Sequence, residues 1–385
     1  MDPLTSADTP PSITTNVCRV PSPLLSEGGA LSRAKVETVV ANWFPRFLAN
    51  GLDYLDVRRT LDLVDGWEDW APAWTSTADT YATLGQQALA SGHRVTAAEH
   101  LRRAALTLQF AQFVLTDQPE RRRELQRRQA ELYATCAPLL DPPAVRLQVA
   151  YPGGEVVGYL RVPCGGGRPG LVVLLPGLES TKEQFSTYEP YFLRRGVATL
   201  SVEGPGQGEG GLGTPFRTAV YAEAMTAVGA ALAGLEGVDP TRVVVLGTSF
   251  GGYLALRYAE LVPGLHGVVD IAGPYDLTAF DDLQEVTRDG FRDFVGACDL
   301  EHARDLLSDV TLEAALPRLE VPVLVVHGEH DPIIPVAHAQ RIITQLGARA
   351  QARIEPDGNH SCNNLATIVR PAVADWVADS LKESA

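Results

Sequence analysis

A serine set between glycines carries the strongest chemical signal in the chain. Ser249 lies at the centre of Gly247-Thr-Ser-Phe-Gly251, which fits the pattern G-x-S-x-G. The apolar run Val243–Leu246 precedes this pattern, and a helix-forming stretch follows from Tyr253. In that setting the motif forms a sharp strand-to-helix turn, which exposes the serine hydroxyl at the carboxyl edge of a sheet. The sequence therefore predicts that Ser249 is a nucleophile.

A serine hydroxyl attacks well only when a base takes its proton and a third group orients that base. Asp331 follows the apolar run Val323–Val326, and His360 follows the run Gln351–Ile354. Both residues thus come where a strand ends, in the chain order serine, acid, histidine. We predict Asp331 as the acid and His360 as the base, with Asp270, at the preceding strand, as an alternative acid.

Attack on a carbonyl places negative charge on its oxygen, which needs N–H donors fixed in advance. One donor is expected to be the backbone N–H of Phe250, directly after the serine. The second is expected from the loop of residues 176–179, which follows the apolar run Leu171–Leu175. We predict Leu178 as this donor, with Glu179 as the alternative.

The elements that must position these residues are visible as apolar runs alternating with helical stretches such as Lys182–Arg195. This alternation is typical of a mostly parallel sheet with helices on both faces. The predicted fold class is α/β, with eight strands and the serine turn after the fifth, which is the pattern of the α/β-hydrolase fold. The first two strands flank a Pro-Gly-Gly turn and are expected to pair antiparallel. The predicted strands are Ala144–Tyr151, Glu155–Val162, Leu171–Leu175, Val197–Val202, Val243–Leu246, Gly267–Ile271, Val323–Val326 and Gln351–Ile354.

Three segments of different character divide the chain. Residues 1–29 are rich in Pro, Ser and Thr and are predicted to form a mobile arm. Residues 30–143 have helical periodicity and are predicted to form a helical cap domain, in which Thr96-Ala-Ala-Glu99 has the spacing of a capping box. Residues 144–385 are predicted to form the catalytic domain, and an insertion at about 274–317 is expected to help cover the substrate.

Composition narrows the classes of partner. The net charge of −15 argues against nucleic acid and anionic membrane surfaces, because both require a basic footprint. The 5 cysteines are scattered and lack C-x-x-C spacing, which fits reduced thiols in a cytoplasmic protein and predicts no metal site. A small-molecule substrate is the expected partner.

One glycine-rich segment mimics a cofactor motif. Residues 206–211 fit G-x-G-x-x-G after a strand, but glycines continue to Gly213 and Pro215 before any helix begins. A dinucleotide site needs its third glycine inside the opening helix. We therefore predict a tight loop beneath the active site, and no cofactor.

Four segments of the sequence resemble one branch of a known enzyme family. They are similar to the α/β-hydrolases that include 2,6-dihydroxypseudooxynicotine hydrolase, the FrsA-like esterases and the fungal hydrolases that shorten polyketides in pigment synthesis. The resemblance spans about residues 145–380 and extends more weakly into the helical region. The segments are Pro176-Gly-Leu-Glu-Ser-Thr-Lys-Glu183, Glu203-Gly-Pro-Gly-Gln-Gly-Glu209, Gly247-Thr-Ser-Phe-Gly-Gly252 and Gly358-Asn-His-Ser-Cys-Asn363.

The resemblance implies the same triad, a substrate cleft between the helical domain and the hydrolase core, and a homodimer. Several such enzymes cleave a carbon–carbon bond next to a ketone, and an acidic residue in the lid is implicated in that cleavage. Asp281, or its neighbour Asp282, has a comparable position here, so Asp281 and Glu179 are predicted to contact the substrate. Glu203 stands where relatives commonly have Asp, and we predict a structural role for it.

Three functions remain open from the sequence. The leading hypothesis is a serine hydrolase acting on a small oxygenated carbonyl compound, through a carbon–carbon bond or an ester, in secondary metabolism or catabolism. The second is an acetate-eliminating lyase on the same fold, as in spirotetronate-type polyketide pathways. The third is a binding protein that has kept the fold without the reaction.

Overall fold

The computed structural model describes residues 27–115 and 118–382. The predicted mobile arm therefore lies outside the described residues, apart from residues 27–29, which begin the first helix. Within the described ranges the helices are α1 Glu27–Ala49, α2 Tyr54–Leu61, α3 Trp67–Ala90, α4 Arg94–Ala111, α5 Pro119–Cys136, α6 Glu189–Leu193, α7 Thr218–Ala231, α8 Phe250–Leu261, α9 Glu285–Phe294, α10 Leu300–Leu306, α11 Ala337–Leu346 and α12 Ala366–Ser380.

Helices α1 to α5 pack around a cluster of large aromatic side chains. The rings of Phe47 and Phe110 meet edge to face, with their centroids 4.8 Å apart. The indole N–H of Trp70 donates to the backbone carbonyl of Phe110 at 2.8 Å, so this buried polar group is satisfied. Burial of these large aromatic side chains stabilises the helical region.

The start of α4 differs from the sequence expectation. The helix begins at Arg94 rather than after Thr96, and His93 is its N-cap residue without a side-chain hydrogen bond. The reason is the tight turn after α3, where Gly92 adopts a positive φ of 78°. This turn returns the chain at once against α3, so α4 starts two residues before the predicted capping box.

A single sheet of eight strands follows the helical region. Its order is β1-β2-β4-β3-β5-β6-β7-β8, with β1 and β2 antiparallel to their neighbours and the other pairs parallel. The α/β-hydrolase fold predicted from the sequence is confirmed. The strands are β1 Ala144–Tyr151, β2 Gly154–Arg161, β3 Leu171–Leu175, β4 Ala198–Glu203, β5 Val243–Thr248, β6 Gly267–Ile271, β7 Val323–Gly328 and β8 Ala350–Glu355.

The central strands are apolar without alternation because helices cover both faces of the sheet. Val173 and Val245 face α7, α8 and the insertion, whereas Val172 and Val244 face α6 and α12. All four side chains are fully buried. The helices on the two faces therefore hold the central strands in place, and with them the carboxyl edge of the sheet, where β5, β7 and β8 end.

The predicted helix Lys182–Arg195 is divided in the structure. Residues Lys182–Thr187 form a 3₁₀ turn, and α6 covers only Glu189–Leu193. Pro190 occupies the first turn of α6. Backbone N–H groups in the first turn have no partner within the helix, so the missing N–H of a proline costs nothing there and a new helix can start. The prediction of one continuous helix was wrong.

The insertion between β6 and β7 contains α9 and α10 and is anchored directly over the serine turn. Phe294 of α9 stacks on Phe216 with ring centroids 4.7 Å apart, and Phe291 meets Phe250 edge to face at 5.3 Å. Phe250 is the residue that follows Ser249. The insertion thus packs against the turn that presents Ser249.

Within the part of the chain that the structure describes, no helix combines the length and apolar character needed to cross a membrane.

Candidate active site

The turn between β5 and α8 holds Ser249 in a strained conformation, with φ 57° and ψ −131°. The glycines on either side of it have no room for a side chain, because a Cβ there would clash with neighbouring backbone atoms. A Cβ on Gly247 would lie 1.7 Å from the carbonyl oxygen of Gly251, and a Cβ on Gly251 would lie 2.3 Å from that of Leu175. The backbone N–H of Ser249 donates to the carbonyl of Ile271 at 2.7 Å, which holds the turn in place.

The three predicted triad residues form one hydrogen-bonded chain. His360 Nε2 lies 2.8 Å from Ser249 Oγ, and His360 Nδ1 lies 2.7 Å from Asp331 Oδ2. The other carboxylate oxygen of Asp331 accepts the backbone N–H groups of Ile333 and Ile334 at 2.8 and 2.9 Å. Burial alone would raise the pKa of Asp331, but the nearby His360 and these N–H donors lower it. The carboxylate is therefore charged at neutral pH and suited to orient an imidazole.

The loop that presents His360 is fastened by asparagines. The backbone N–H of Asn359 donates to the side-chain oxygen of Asn364, and the N–H of Asn364 returns a bond to Asn359, at 2.9 and 3.2 Å. The amide of Asn363 donates to the carbonyl of His360 at 2.9 Å. These hydrogen bonds fix the backbone of the loop, and none of them involves the imidazole ring of His360.

Cys362, two residues after His360, is buried and lines the same cleft as Ser249. Ser361 and Cys362 both have positive φ, 54° and 51°, so the chain turns sharply here. Burial raises the pKa of the Cys362 thiol to about 12. A neutral thiol is a weak nucleophile, which argues for Ser249 as the attacking group.

The alternative acid, Asp270, lies elsewhere. One of its oxygens accepts the backbone N–H of Gly273 at 2.8 Å, and the other is buried without a hydrogen-bond partner. Burial raises its pKa to about 7. The structure thus brings Asp331, and not Asp270, to the imidazole of His360.

The loop of residues 176–179 lies against the serine turn. A Cβ on Gly177 would lie 3.0 Å from both the Cβ of Ser249 and the carbonyl oxygen of Thr248, so a larger residue would crowd the serine turn. Leu178 and Glu179 line the cleft beside Ser249. On the other side, Phe250 begins α8, whose amino terminus carries partial positive charge.

Side chains of the helical region hold the next part of that loop, which sequence reasoning had missed. The amide of Gln109, on α4, donates to the backbone carbonyl of Glu179. Gln129, on α5, donates to Thr181 Oγ1 at 2.7 Å, and Arg46, on α1, donates to Ser180 Oγ at 3.0 Å. No local pattern marks these residues, because each contact joins positions at least 52 residues apart in the chain.

These residues surround a cleft of about 940 Å³, including open solvent at its mouth. Glu179 lines it as predicted, but Asp281 does not. The Asp281 carboxylate is exposed and pairs with Arg304 at 2.7 Å on the surface of the insertion, and Asp282 is exposed as well. The expectation that Asp281 contacts the substrate is therefore corrected. Besides the serine and histidine, side chains from distant elements face the cleft: Arg46, Asn50, Gln184, Tyr188, Thr287, Ile333 and Arg370.

Comparison with known proteins places this architecture in a family. The profile of the prolyl oligopeptidase family matches residues 183–384. A 2,6-dihydropseudooxynicotine hydrolase from Paenarthrobacter nicotinovorans is 36% identical over 355 residues, which cover 91% of this chain and 94% of that protein. The chain belongs to the prolyl oligopeptidase family of α/β-hydrolases.

Two solved structures and a fungal hydrolase are also similar to this chain. The crystal structure of 2,6-dihydroxy-pseudo-oxynicotine hydrolase matches this hydrolase with a TM-score of 0.81 at 33% identity, over 88% of this chain and 95% of that one. AbyA5 shares the fold, with a TM-score of 0.67 at 22% identity. The hydrolase acrC of Aspergillus aculeatus is 32% identical over 234 residues, about half of either chain.

A charged cluster lies buried next to the loop that follows β3. The ammonium of Lys182 contacts carboxylate oxygens of Glu183, Glu203 and Glu209 at 2.7, 2.9 and 2.7 Å. Glu203 also accepts the backbone N–H groups of Lys182 and Glu209 at 3.1 and 2.7 Å. Burial and the neighbouring carboxylates Glu183 and Glu209 raise the pKa of Glu203 to about 7, although Lys182 opposes this. These contacts tie the glycine-rich loop of residues 204–211 to the loop after β3.

Among the residues that the structure describes, no group of three or more His, Cys, Asp or Glu side chains is arranged to hold a metal ion.

Proposed function

We propose that this hydrolase cleaves a small oxygenated carbonyl compound through an acyl-enzyme on Ser249. The observation that supports this most directly is the unbroken hydrogen-bonded chain from Ser249 Oγ through His360 to Asp331, at distances of 2.8 and 2.7 Å, beside an open cleft.

In the first half of the reaction, Ser249 Oγ attacks the carbonyl carbon while His360 Nε2 takes the hydroxyl proton. The oxygen of the resulting tetrahedral species becomes negative and is stabilised by the N–H groups of Phe250 and Leu178. Asp331 stabilises the imidazolium through Nδ1 and stays ionised. The bond to the leaving group then breaks, His360 returns the proton to that group, and an acyl-enzyme remains.

In the second half, water attacks the acyl carbon and His360 takes one of its protons. The second tetrahedral species collapses, the bond to Ser249 Oγ breaks, and the serine recovers its proton from His360. The products are a carboxylic acid and the protonated leaving group.

Two kinds of bond fit this scheme. An ester gives an alkoxide leaving group, whereas a carbon–carbon bond next to a ketone gives a carbanion that needs stabilisation by its own substituents. We propose the second kind first, because the relative that aligns over nearly the whole chain is named for 2,6-dihydropseudooxynicotine and the resemblance implies that type of cleavage. A role in catabolism or secondary metabolism, a homodimer and a cytoplasmic location stay predictions.

The test of the nucleophile is a fluorophosphonate probe followed by peptide mapping. Labelling is expected at Ser249 in the wild type and in the control Ser308→Ala, whose hydroxyl bonds the carbonyl of Asp305 at the surface. Ser249→Ala is expected to lose the label and to lower turnover by about 10⁴- to 10⁶-fold. Turnover that survives Ser249→Ala contradicts the acyl-enzyme, and an unlabelled wild type favours a binding protein.

The reaction type is tested in ¹⁸O-enriched water. Hydrolysis through an acyl-enzyme incorporates the label into the product acid, because water supplies one of its oxygens. An elimination that breaks the alkyl–oxygen bond releases acetate without the label and would replace this proposal with the lyase alternative.

A further inference from the structure

Two arginines line the cleft beside Ser249, and they differ in their partners. Arg46 lies with Nη1 3.6 Å from Glu179 Oε2 and donates to Ser180 Oγ at 3.0 Å. Arg370, on the second turn of α12, has one described hydrogen bond, from Nη1 to Thr187 Oγ1 at 3.4 Å. Its guanidinium also lies over the ring of Tyr188, 5.0 Å from the centroid. Among the side chains that the structure describes, the groups that act electrostatically on Arg370 are the hydroxyls of Tyr188 and Tyr191, and no carboxylate pairs with it.

Other buried cations of the hydrolase have carboxylate partners, whereas Arg370 has none among the described side chains. Arg161 pairs with Glu189 at 2.8 Å, and Lys182 has three carboxylates around it. Burial lowers the pKa of Arg370, which reflects the cost of holding its charge away from water. A cation that bears this cost without a protein anion, at the wall of a cleft, is a candidate for ligand binding.

The charge of the cleft supports the same conclusion. Glu179 is the one carboxylate among the described residues of the lining, and Arg46 lies next to it. The positive charge of Arg370 is therefore uncompensated, in a chain whose net charge is −15. The first turn of α12, including Ala366, also lines the cleft and adds partial positive charge.

We propose that Arg370 binds a carboxylate of the substrate, at the opposite end from the carbonyl that Ser249 attacks. The planar guanidinium has N–H groups free for a bidentate contact, a geometry that matches carboxylate. The substrate class is therefore a ketone or ester that carries a free carboxylate. This inference rests on the proposed function, since it names the substrate of the same site.

The test compares two series of 4-nitrophenyl esters. One series has the half-esters of succinic, glutaric and adipic acid, and the other has butanoic, pentanoic and hexanoic esters, which lack the terminal carboxylate. At the chain length that spans Ser249 and Arg370, the wild type is expected to prefer the charged ester by tenfold or more in kcat/KM. Arg370→Gln is expected to lose that preference, mainly through a 10- to 100-fold higher KM.

Two further variants separate binding from structure. Arg370→Lys keeps the charge and is expected to keep part of the preference, whereas a structural role would lower kcat/KM for both series equally. Arg194→Gln is the matched control, because Arg194 also lies over a tyrosine ring, that of Tyr191 at 5.6 Å, but is exposed and does not line the cleft. It is expected to behave as wild type.

Failure of this inference is distinguishable from failure of the proposed function. Equal kcat/KM for both series, or a preference unchanged in Arg370→Gln, overturns the carboxylate site while leaving the acyl-enzyme intact. If neither series is cleaved, calorimetric binding of the same esters to wild type and Arg370→Gln decides the point. Tighter binding of the charged ester that disappears in the variant supports the site, and equal binding overturns it.

Discussion

The side-chain amide of Gln207 donates to the main-chain carbonyl of Gly177 at 2.9 Å. That carbonyl shares a planar trans peptide with the N–H of Leu178, so the two groups point in opposite directions. The same amide donates to the carbonyl of Pro176 at 2.7 Å, and its oxygen accepts the N–H of Gly204 at 3.2 Å. Gln207 therefore fixes the direction of the N–H proposed as the second oxyanion donor.

Replacing Gln207 with Ala is expected to lower kcat by about 10- to 100-fold with little change in KM. The loop would keep its place but lose the fixed direction of one donor, and loss of a whole donor costs about 10²- to 10³-fold. Steady-state kinetics with circular dichroism as a check on folding measures this. Gln87→Ala, at an exposed position on α3, is the control, and an unaffected kcat in Gln207→Ala would contradict the role.

Replacing each of the two candidate acids, Asp331 and Asp270, is expected to affect activity very differently. Asp331→Asn is expected to lower kcat by about 10³- to 10⁴-fold, because an amide at this position favours the wrong tautomer of His360. Asp270→Asn is expected to change kcat by less than about threefold, since its described hydrogen bond goes to Gly273. Parallel kinetics on the two variants would show the reverse order if Asp270 were the acid that orients the histidine.

The sequence predicted the sheet well because buried parallel strands have a clear local signature. The expected strand Val323–Val326 is the core of the observed Val323–Gly328, and the run before Ser249 likewise matches β5. Parallel pairing brings successive strand ends to one edge, so chain order alone was enough to place Asp331 and His360 near the serine.

Other parts of the site depend on contacts between elements far apart in the chain. The segment at Lys182 was predicted as an ordinary helix, yet Lys182 is buried among carboxylates that include one from the end of β4 and one from the loop after it. Arg46 and Arg370 reach the same cleft from opposite ends of the chain. Asp281 was expected in the cleft from the family resemblance, but it lies at the surface of the insertion, where it pairs with Arg304. Hydrophobic periodicity along the sequence carries no information on contacts between residues so far apart in the chain.

The raised pKa of Asp270 predicts how stability changes with pH. Its folded pKa of about 7 exceeds the ordinary unfolded value, so the folded state binds this proton more tightly. The contribution of Asp270 to stability is therefore full below about pH 4 and is lost as pH rises through about 7. Asp270→Asn removes a titrating group and is expected to flatten the fall in unfolding free energy between pH 4 and pH 7.

Urea unfolding at several pH values measures this difference. Asp239→Asn is the control, because hydrogen bonds, first of all from Thr241, lower the pKa of Asp239 to about 2, below the pH range tested. Removal of Asp239 is expected to leave the slope between pH 4 and pH 7 nearly as in wild type. A wild-type slope in Asp270→Asn would show that this carboxyl group is not protonated in the folded state at pH 6.

Lys182→Met tests the buried charged cluster. The methionine fills similar space but leaves Glu183 and Glu203 buried without their cation, so a loss of about 3–5 kcal/mol in unfolding free energy is expected at pH 7.5. The deficit should shrink at pH 5.5, because carboxylates that lose a cationic partner take up protons more readily. Urea unfolding at the two pH values gives both numbers.

Two further variants make the Lys182 result specific. Lys382→Met removes an exposed ammonium that contacts Asp379, and it is expected to cost less than about 1 kcal/mol, as for other surface ion pairs. Adding Glu203→Gln to Lys182→Met removes one stranded carboxylate and is expected to recover part of the lost stability. A cluster held together by packing alone would instead show the same deficit at both pH values and no recovery in the double variant, because no charge would be left uncompensated.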